Sequence, residues 1–383
     1  MRHSTLALRE ATPEDSTKLI DFFSSIPQLG PIEIKLGRQD HFSSFYERLQ
    51  LRTKTYILED ENESQIYGTA SFIIRNLKFH SGYFRLAQAC DLRIANNRKA
   101  IIGWSHFFQP LTTSLKEVEN LNGFITTINH DDLQSVNAFL RPKLKRSHQP
   151  YYTLIRKYNL VTIHGFYPWF PRPNKNIKVR AYQASDKEKL ITYLQKKIEH
   201  YDMLPPELAE SVVDYINHSI IYSWSQFLIA FDPEENIIGC VQPISSSLLQ
   251  DYFPQNYNSQ AHNFRQFLKL SQWLGFGRKL TRPFSRTHKQ QSLRFRMLHF
   301  LFFEHVEILY ALTFAAYKTS SQNEFIVYAH DKADFKRRPP KGSIHSEIPH
   351  GLYSIHVEGE KEQILQELSL RNTKPLWLDG VWF

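Results

Sequence analysis

The order of apolar and polar periodicities recurs in the two halves of the chain. Residues 5–9 and 177–182 have the pattern of short strands, each followed by a polar turn and a helical stretch. A further helical stretch follows in each half, at 39–50 and at 207–218. Two apolar runs separated by an acidic turn come next, which predicts a β-hairpin in each half. The paired runs are 54–59 with 65–76, and 225–231 with 236–243.

The first half continues with alternating strands and helices. Residues 84–94 alternate with period two, which places Cys90 and Asp91 on opposite faces of a predicted strand. A basic turn at 96–99 precedes an apolar helical stretch over 100–116. The remaining predicted elements of this half are strand 122–128, helix 132–140 and strand 151–158.

The second half departs from this pattern after its hairpin. Residues 245–265 are rich in Gln, Asn and Ser, and we interpret them as an insertion that leads to a Gly-containing stretch over 274–280. The helix predicted over 305–318 is not preceded by a basic, Gly-containing turn. The predicted elements that follow are strand 293–302, helix 305–318, strand 324–329 and two last strand candidates, 351–357 and 376–383.

A fixed offset of 171 positions relates the two halves. Arg9 and Asp15 recur as Arg180 and Asp186. The offset also relates segment 56–58 to 227–229, and segment 66–68 to 237–239. Agreement at one offset in three separated patches indicates a tandem duplication. The predicted division is a first domain over 1–165, a Pro-rich linker over 166–176 and a second domain over 177–383.

Composition restricts the class of protein. The 383 residues are 42% hydrophobic and 22% charged, as in a folded soluble domain rather than a disordered chain. Two cysteines, Cys90 and Cys240, are too few for a disulfide framework or a multi-cysteine zinc site. No apolar run approaches the ~20 residues of a membrane span, and the first residues lack the apolar stretch of a signal peptide. We therefore expect a cytoplasmic protein with no membrane partner.

The net charge of +9 is spread over both halves. A dedicated nucleic-acid binder concentrates such charge in one arm or face, so the distribution favours an anionic small ligand and makes nucleic acid an unlikely partner. The densest basic segment, 278–296, includes Phe284 and Phe295, and contact with RNA or a phosphorylated partner is its less favoured interpretation. The histidines show no metal-ligand spacing, so no metal site is predicted.

The element order, together with four sequence segments, resembles the GNAT N-acetyltransferase superfamily. The matching segments are 8–15, 66–68, 91–94 with the basic residues 98 and 99 after it, and 129–138. The resemblance covers nearly all of the first half but mainly the first third of the second. It implies an α/β fold with an α+β mixed sheet, and two GNAT-like domains in tandem of which the C-terminal copy is degenerate.

In this family, a turn at a helix N-terminus binds the pyrophosphate of coenzyme A, and it reads basic-x-x-Gly-x-Gly/Ala. Unpaired N–H groups and the helix dipole both favour an anion there. In this chain Gly103 supplies the second glycine, whereas Ile101 stands at the first. The expected result is that Gly103→Trp abolishes acyl-CoA binding with little loss of stability. The implied residues binding acetyl-CoA or another acyl-CoA are Leu92, Arg93, Ile94, Arg98, Lys99, Ala100, Ile101, Ile102, Gly103, Trp104 and Asn129.

Two of these assignments have ordinary structural alternatives. Arg98 and Lys99 can be solvated residues at a helix start, although a helix N-terminus does not favour cations. Asn129 can be a cap between a strand and a helix.

The resemblance also implies catalytic groups. Family members place oxyanion donors on the backbone of their fourth strand, which corresponds here to the strand that contains Asp91. They use a carboxylate or a water chain as the base. Asp91 is the expected base or amine-orienting group, with an ion pair to Arg93 or Arg85 as the alternative. Phe139 occupies the place of the family's acidic tyrosine, so three readings stay open. The thiolate leaves unassisted, Tyr151 or Tyr152 replaces that tyrosine, or catalysis is lost.

The function implied by the resemblance is N-acetyl or N-acyl transfer. An acyl group passes from acyl-CoA to the primary amine of a small molecule or peptide by direct attack in a ternary complex. The expected protein is a monomer or homodimer. The alternative is a non-catalytic acyl-CoA sensor, or an interaction scaffold built on a duplicated fold.

Overall fold

The structure, a computed structural model, describes residues 6–142, 149–285, 290–356 and 374–378. Contacts within the chain divide it into two units. The first unit comprises Met1–Arg156 with His350–Thr373, and the second comprises Lys157–Pro349 with Lys374–Phe383. Because strands β7 (Tyr151–Phe166) and β14 (Ser343–His356) each run across a unit boundary, each of them contributes residues to both units.

The sheet of the first unit has the strand order β1-β3-β4-β5-β6-β14-β7, to which β14 contributes residues 350–356 and β7 contributes residues 151–156. Strand β6 pairs in parallel with β5 and antiparallel with β14. The strands are β1 (Leu6–Glu10), β2 (Ile32–Gly37), β3 (Arg52–Asp60), β4 (Gln65–Phe79), β5 (Gly82–Ile94), β6 (Gly123–Asn129), β7 (Tyr151–Phe166) and β14 (Ser343–His356).

The principal helix of the first unit covers one face of its sheet. The helices are α1 (Ser16–Ser25), α2 (Ser44–Arg48), α3 (Arg98–Glu119) and α4 (Leu133–Ser135), the last continuing as a π-helical turn over Val136–Leu140. Trp104 and Leu111 of α3 pack on Phe72 and Ala87 of the sheet. Burial of this apolar face stabilises α3, because helix propensity alone is a weak contribution.

The second unit repeats this order of strands, β8-β9-β10-β12-β13-β7-β14, with residues 157–166 of β7 and 343–349 of β14. Its parallel pair is β12 with β13. The additional strands are β8 (Lys178–Ala181), β9 (Leu228–Phe231), β10 (Ile237–Ser245), β11 (Asp251–Tyr257), β12 (Arg294–Phe303) and β13 (Glu324–Asp331). The helices are α5 (Lys187–Ile198), α6 (Pro206–Glu210), α7 (Val212–Asn217), α8 (Ser259–Trp273) and α9 (Val306–Thr319).

Both units start with the same ion pair. Arg9 binds both carboxylate oxygens of Asp15 at 2.7 and 2.8 Å, and Arg180 binds those of Asp186 at 2.6 and 2.7 Å. In each unit the acidic residue also accepts the backbone N–H three positions earlier at 2.8 Å. The fork geometry of two parallel charge-assisted bonds fixes the turn between first strand and first helix.

Several predicted elements differ from the structure. The contact division lies at Arg156 rather than near 165, and it places His350–Thr373 with the first unit. The supposed insertion over 245–265 contains β11 and the first seven residues of α8. The helix over 39–50 is limited to α2, and the last strand begins at Ser343 instead of 351. In the candidate strand 376–383, residues 379–383 lie outside the described residues.

In the described part of the chain, no helix is long and apolar enough to cross a membrane.

Candidate active site

A bulge in β5 lies where the parallel strands β5 and β6 stop pairing. The last parallel pair is Ala89 with Thr126, although both strands continue. Beyond it, one extra residue on β5 shifts the register with β4, and Asp91 has φ +52°. A positive φ is uncommon for a residue with a side chain, and Asp and Asn adopt it more readily than most. The bulge therefore redirects the backbone of β5 beside a gap between two strands.

The Asp91 carboxylate has two donors on the same oxygen. Oδ2 accepts a hydrogen bond from the Arg38 guanidinium and another from the Tyr46 hydroxyl. The Arg38 side chain is 1% exposed and that of Asp91 is 12% exposed. Burial, followed by the Asp91 charge, raises the pKa of Tyr46 well above its usual value, so this hydroxyl stays protonated and donates.

Four aromatic rings surround the Arg38 guanidinium. They belong to Phe23, Phe42, Phe45 and Tyr46, with ring centroids 4.5 to 5.6 Å from Arg38 Cζ. Aromatic faces attract the cation and exclude water, so the charge of Asp91 is the counter-ion this position requires. The arrangement holds α1 and α2 to the β5 bulge.

The predicted partners of Asp91 were wrong. Arg85 pairs with Glu119 at 3.0 Å, and Arg93 donates to the carbonyl oxygens of Ile26 and Leu92 at 3.1 and 2.8 Å. The ion pair is with Arg38, which the sequence prediction did not consider.

The predicted faces of β5 were also wrong beyond the bulge. Ala87 and Ala89 share one apolar cluster with Leu92 and Ile94, because the extra residue reverses the alternation. Cys90 Sγ lies 3.6 Å from the same Tyr46 hydroxyl that binds Asp91, so those two residues do not face opposite ways.

The strand beyond the bulge directs one amide toward the gap. Ala95 donates its N–H to the Tyr67 carbonyl of β4 at 2.8 Å. Since successive residues of a strand direct their N–H groups to opposite sides, the N–H of Ile94 points away from β4, to the side of β6. Gly68 is opposite Ile94 in the register, which makes them a non-hydrogen-bonded pair. The N–H of Arg93 points toward β4 by the same rule.

The N-terminus of α3 has a side-chain cap that satisfies one of its amides. The Asn97 side chain accepts the Ala100 N–H at 2.8 Å, which leaves the first two amides, of Arg98 and Lys99, without a partner inside the helix. Arg98 is exposed. The Lys99 ammonium lies 2.5 Å from Asp60 Oδ2, and this contact raises its pKa. Lys99 is therefore directed to the end of β3, whereas the Arg98 guanidinium forms no ion pair with any residue that the structure describes.

The residues after this turn divide between core and surface. Ala100, Gly103 and Trp104 are buried, whereas Ile101 and Ile102 are exposed. A Cβ on Gly103 would lie 2.6 Å from Leu6 Cδ1 and 3.3 Å from Leu58 Cδ2. The glycine permits close packing of α3 on the sheet, so the expectation that a large residue there costs little stability was wrong.

Asn129, at the end of β6, is a turn residue. Its side-chain oxygen accepts the Asp131 N–H at 2.9 Å. Asp132 then caps α4 by accepting the N–H groups of Gln134 and Ser135, both at 3.1 Å. Asn129 therefore closes the turn that precedes the helix, and the cap expected of it is supplied by Asp132.

A histidine and a tyrosine meet at this end of the parallel pair. His130 Nε2 lies 2.8 Å from the hydroxyl of Tyr353 on β14. Burial raises the pKa of Tyr353. The pair lies at the C-terminal end of β6, beside the gap that β5 borders. No local sequence pattern predicts this pair, because Tyr353 is 223 residues from His130 in the chain.

The two tyrosines proposed as acids have different surroundings. Tyr151 is exposed. The Tyr152 ring packs against Phe139 at 5.3 Å between centroids, and burial holds its pKa well above the usual value. Tyr152 belongs to the apolar cluster around Ile128 and Val136.

The second unit has a bulge at the corresponding place, with different contents. One extra residue on β12 shifts its register with β10, and Phe300 has φ +48°. The Phe300 ring contacts those of Tyr222, Phe227 and Trp377 at centroid distances of 5.3 to 5.6 Å. Aromatic rings fill the place that the Arg38–Asp91 pair occupies in the first unit.

The start of α9 differs as well. Glu307 lies in its first turn, and His305 provides no side-chain cap. Acidic residues at a helix start repel a phosphate. The first unit has Arg98 and Lys99 at this place.

Among the described residues, no group of three or more histidine, cysteine or acidic side chains has the arrangement of a metal site.

Arg38 and Tyr46 were not predicted as site residues, although the sequence contains one signal for Arg38. Residues 32–36 alternate between apolar and charged side chains, which is the pattern of a strand. Arg38 follows this strand, β2, directly. Its contact with Asp91 spans 53 residues of chain, which no local pattern indicates.

No protein-family model matches the sequence, and no curated protein does. Solved structures do share the fold over nearly the whole chain. An N-myristoyltransferase of Saccharomyces cerevisiae with bound myristoyl-CoA has a TM-score of 0.50 at 8% identity, over 94% of this chain and 84% of that one. A GCN5-related N-acetyltransferase from Sphaerobacter thermophilus has a TM-score of 0.50 at 8% identity, over 96% and 98%.

A third structure is the GCN5-related glucosamine N-acetyltransferase region of a fungal multi-domain beta-N-acetylglucosaminidase. Its TM-score is 0.52 at 11% identity, over 93% of this chain and 38% of that one. At these identities the likeness shows the fold alone. The chain has the mixed α/β fold of the GNAT acyl-CoA N-acyltransferases.

Proposed function

We propose that the first unit is an N-acyltransferase that moves an acetyl or longer acyl group from acyl-CoA to a primary amine. The observation that carries this proposal is the bulge at Asp91, which lies just beyond the last parallel pair of β5 and β6. It presents a backbone amide to the gap between the strands. The likeness in fold to acyltransferases supports the same assignment.

The start of α3 fits the pyrophosphate of coenzyme A. The amides of Arg98 and Lys99 are free to donate, and the Arg98 guanidinium is exposed beside them. Lys99 neutralises Asp60, which would otherwise repel an anion near this turn. Ile101 is exposed and Gly103 is buried, so only the first of them belongs to the ligand-facing surface.

The backbone of β5 supplies the stabilisation of negative charge. The Ile94 N–H, directed to the side of β6, is positioned to donate to the oxygen of the carbonyl that the amine attacks. One such preorganised donor commonly contributes about 3 kcal/mol to the transition state. The Arg93 amide points toward β4, so it does not donate to this oxygen. Leu92 lies in the bulge itself.

The Asp91 carboxylate acts as a positioning group. Oδ2 already accepts two hydrogen bonds, and protonating it as a base would break the ion pair with buried Arg38. Its function is to hold the bulge in the left-handed conformation. Asp91 therefore acts on the reaction only through the position of the Ile94 amide.

The His130–Tyr353 pair is the proposed proton carrier. As the C–N bond forms and the C–S bond breaks, His130 accepts the proton of the amine, and Tyr353 donates a proton to the leaving thiolate. His130 then returns a proton to Tyr353 across their 2.8 Å contact. No oxidant, reductant or metal is required for this balance. Tyr152 and Tyr353 belong to the same apolar cluster, but among the described residues a histidine lies within hydrogen-bond distance of Tyr353 and not of Tyr152. Tyr151 is exposed, so neither Tyr151 nor Tyr152 is the preferred acid.

The second unit is proposed to be a degenerate copy of the first that binds no coenzyme A. Its bulge and its Arg180–Asp186 pair match the first unit, which supports a tandem duplication. Phe300 fills the corresponding place, and Glu307 makes the start of α9 unfavourable for phosphate.

Release of free thiol from acetyl-CoA, measured with a panel of small and peptide amines, tests the proposal. His130→Gln should lower kcat by about a hundredfold or more, because it removes the proton acceptor, and should leave acyl-CoA affinity unchanged. The exposed His106 on α3 supplies the matched control, His106→Gln, with wild-type turnover. Acyl-CoA binding without turnover of any amine would instead indicate a non-catalytic sensor.

A further inference from the structure

Helix α8 of the second unit has apolar side chains on two faces. On the inner face Ala261 and Leu268 are buried, and the Phe264 ring packs on His164 at 5.4 Å. On the outer face four large apolar residues, spaced three and four apart, are exposed. They are Phe267 at 37%, Leu270 at 54%, Trp273 at 80% and Leu274 at 54%. A surface of this kind usually marks an interaction site.

An exposed aromatic from another segment lies near the end of α8. Trp169 is 71% exposed, and it stacks on Tyr167 at 4.9 Å and contacts Phe276 at 5.9 Å. Phe276 lies three residues after Trp273. We call Phe267, Leu270, Trp273, Leu274 and Trp169 the α8 patch.

The α8 patch stands on a firmly held segment. Gly275, with φ +82°, ends the helix, and Phe276 donates its N–H to the Ser271 carbonyl at 3.0 Å. The backbone then bonds to β7, since Phe166 donates to the Phe276 carbonyl at 3.2 Å and Arg278 donates to the His164 carbonyl at 2.8 Å.

The Arg278 side chain fastens the same segment to α9. Its guanidinium donates to the carbonyls of Tyr317, Ser320 and Glu324, and it lies 3.8 Å from the Tyr317 ring centroid. The α8 patch is therefore exposed on a segment that hydrogen bonds hold in place.

The chain around the patch carries charge of one sign. Between Asp251 and Glu304 the sequence contains nine Lys or Arg residues and no Asp or Glu. Lys269 on α8 and Lys279 just after it are both exposed. Arg278 is buried and Arg296 pairs with Glu324 at 3.1 Å, so the exposed Lys269 and Lys279 are the charges beside the helix that favour a negatively charged partner.

We propose that the α8 patch docks on the surface of a membrane that contains anionic lipids. Exposed tryptophan and leucine side chains enter the interfacial region of a bilayer, while flanking lysines bind acidic headgroups. Such docking requires no spanning helix, so the expectation of no membrane partner, drawn from the lack of a span, does not bear on it. RNA is the weaker fit because it is bound by stacking on aromatic faces, and Leu270 and Leu274 offer none.

Cosedimentation of the full chain with lipid vesicles tests the proposal. We expect binding to vesicles of phosphatidylcholine and phosphatidylserine in equal parts, but not to phosphatidylcholine alone, and we expect added salt to weaken it. The double variant Leu270→Ser/Trp273→Ala should bind about tenfold more weakly or worse, since it removes two apolar anchors. Lys269→Glu/Lys279→Glu should weaken binding similarly through charge.

Tyr83→Ala is the matched control, because Tyr83 is 55% exposed in the first unit and lies outside the patch. It should bind vesicles as the wild type does. The proposal is overturned if the wild type stays in the supernatant, binds both kinds of vesicle equally, or keeps its affinity in both double variants. It is also overturned if the double variant Leu270→Ser/Trp273→Ala instead abolishes a dimer seen by size exclusion, or binding to single-stranded RNA.

Discussion

The Arg38 guanidinium and the Asp91 carboxylate form a buried ion pair that joins the segment after β2 to the bulge of β5. The pair places a full positive charge among four aromatic rings and gives it a carboxylate counter-ion. Asp91 in turn adopts a backbone conformation that few residues with a side chain tolerate. The two residues together hold the strand in the form on which the proposed chemistry depends.

Asp91→Asn should destabilise the protein by about 3–5 kcal/mol, because it removes the carboxylate charge that pairs with the buried Arg38 guanidinium. Asn accepts the positive φ, so the backbone is not the cause. Chemical denaturation measures the loss. The control is Asp40→Asn, since Asp40 also has a positive φ, +59°, and pairs with Arg48 at 3.0 Å, but its side chain is 71% exposed.

The Asp40 variant should lose about 1 kcal/mol at most, as exposed ion pairs contribute little. If Asp91→Asn keeps wild-type stability and loses only kcat, Asp91 is the base and its positioning role is wrong.

Gly103→Ala should lower the free energy of unfolding by a net ~1 kcal/mol, since crowding of Leu6 and Leu58 exceeds the ~1 kcal/mol gained in helix propensity. Thermal denaturation measures this, and Ile102→Ala on the exposed side of α3 should stay within ~0.5 kcal/mol of wild type. A Gly103→Ala variant more stable than wild type would show that α3 does not pack closely there.

Three tyrosine variants separate the candidate acids. Tyr353→Phe should lower kcat about tenfold or more, because it removes the hydroxyl that exchanges a proton with His130. Tyr151→Phe and Tyr152→Phe should retain wild-type kcat, and steady-state kinetics with one amine compares all three. A loss confined to Tyr152→Phe or to Tyr151→Phe would return the acid role to that residue.

The buried His164 should make stability sensitive to acid. Burial lowers its pKa from 6.5 to about 3, so the unfolded chain binds a proton that the folded protein excludes. Its stabilisation is complete above pH 6.5 and is lost as pH falls toward about 3, by up to ~1.4 kcal/mol per pH unit. His345 lies near enough for its charge to lower the pKa of His164 further.

His164→Phe keeps the ring contacts with Phe264 and Phe325, and it should flatten this part of the stability profile. Denaturation midpoints across the same pH range test it, with the exposed His200→Phe as the control. An unchanged slope in His164→Phe would contradict the assignment.

The sequence predicted those elements whose causes are local. Two apolar runs around an acidic turn located β3 and β4, period-two alternation located β5, and the repeated Arg and Asp positions indicated that both units begin alike. It did not locate the β5 bulge, since one inserted residue leaves no mark in composition yet reverses every side chain after it. Helix α8 was missed because its inner apolar face is interrupted by polar residues and shares the helix with an exposed apolar face.

The candidate site was only partly predictable for a related reason. Arg98, Lys99 and the β5 backbone follow one another in the chain, so a family resemblance reached them. Arg38, Tyr46 and Tyr353 come from distant segments, and only the folded chain brings them to Asp91 and His130.

Titration calorimetry with acetyl-CoA, myristoyl-CoA and free coenzyme A tests the central claim most directly. The wild type should bind one acyl-CoA per chain. Arg98→Glu should weaken binding about tenfold or more, because it reverses the charge beside the two free amides of α3. Val306→Glu makes the corresponding change at the start of α9 and should leave binding unchanged. No heat with any of the three ligands, or equal weakening by both variants, would contradict a single acyl-CoA site in the first unit.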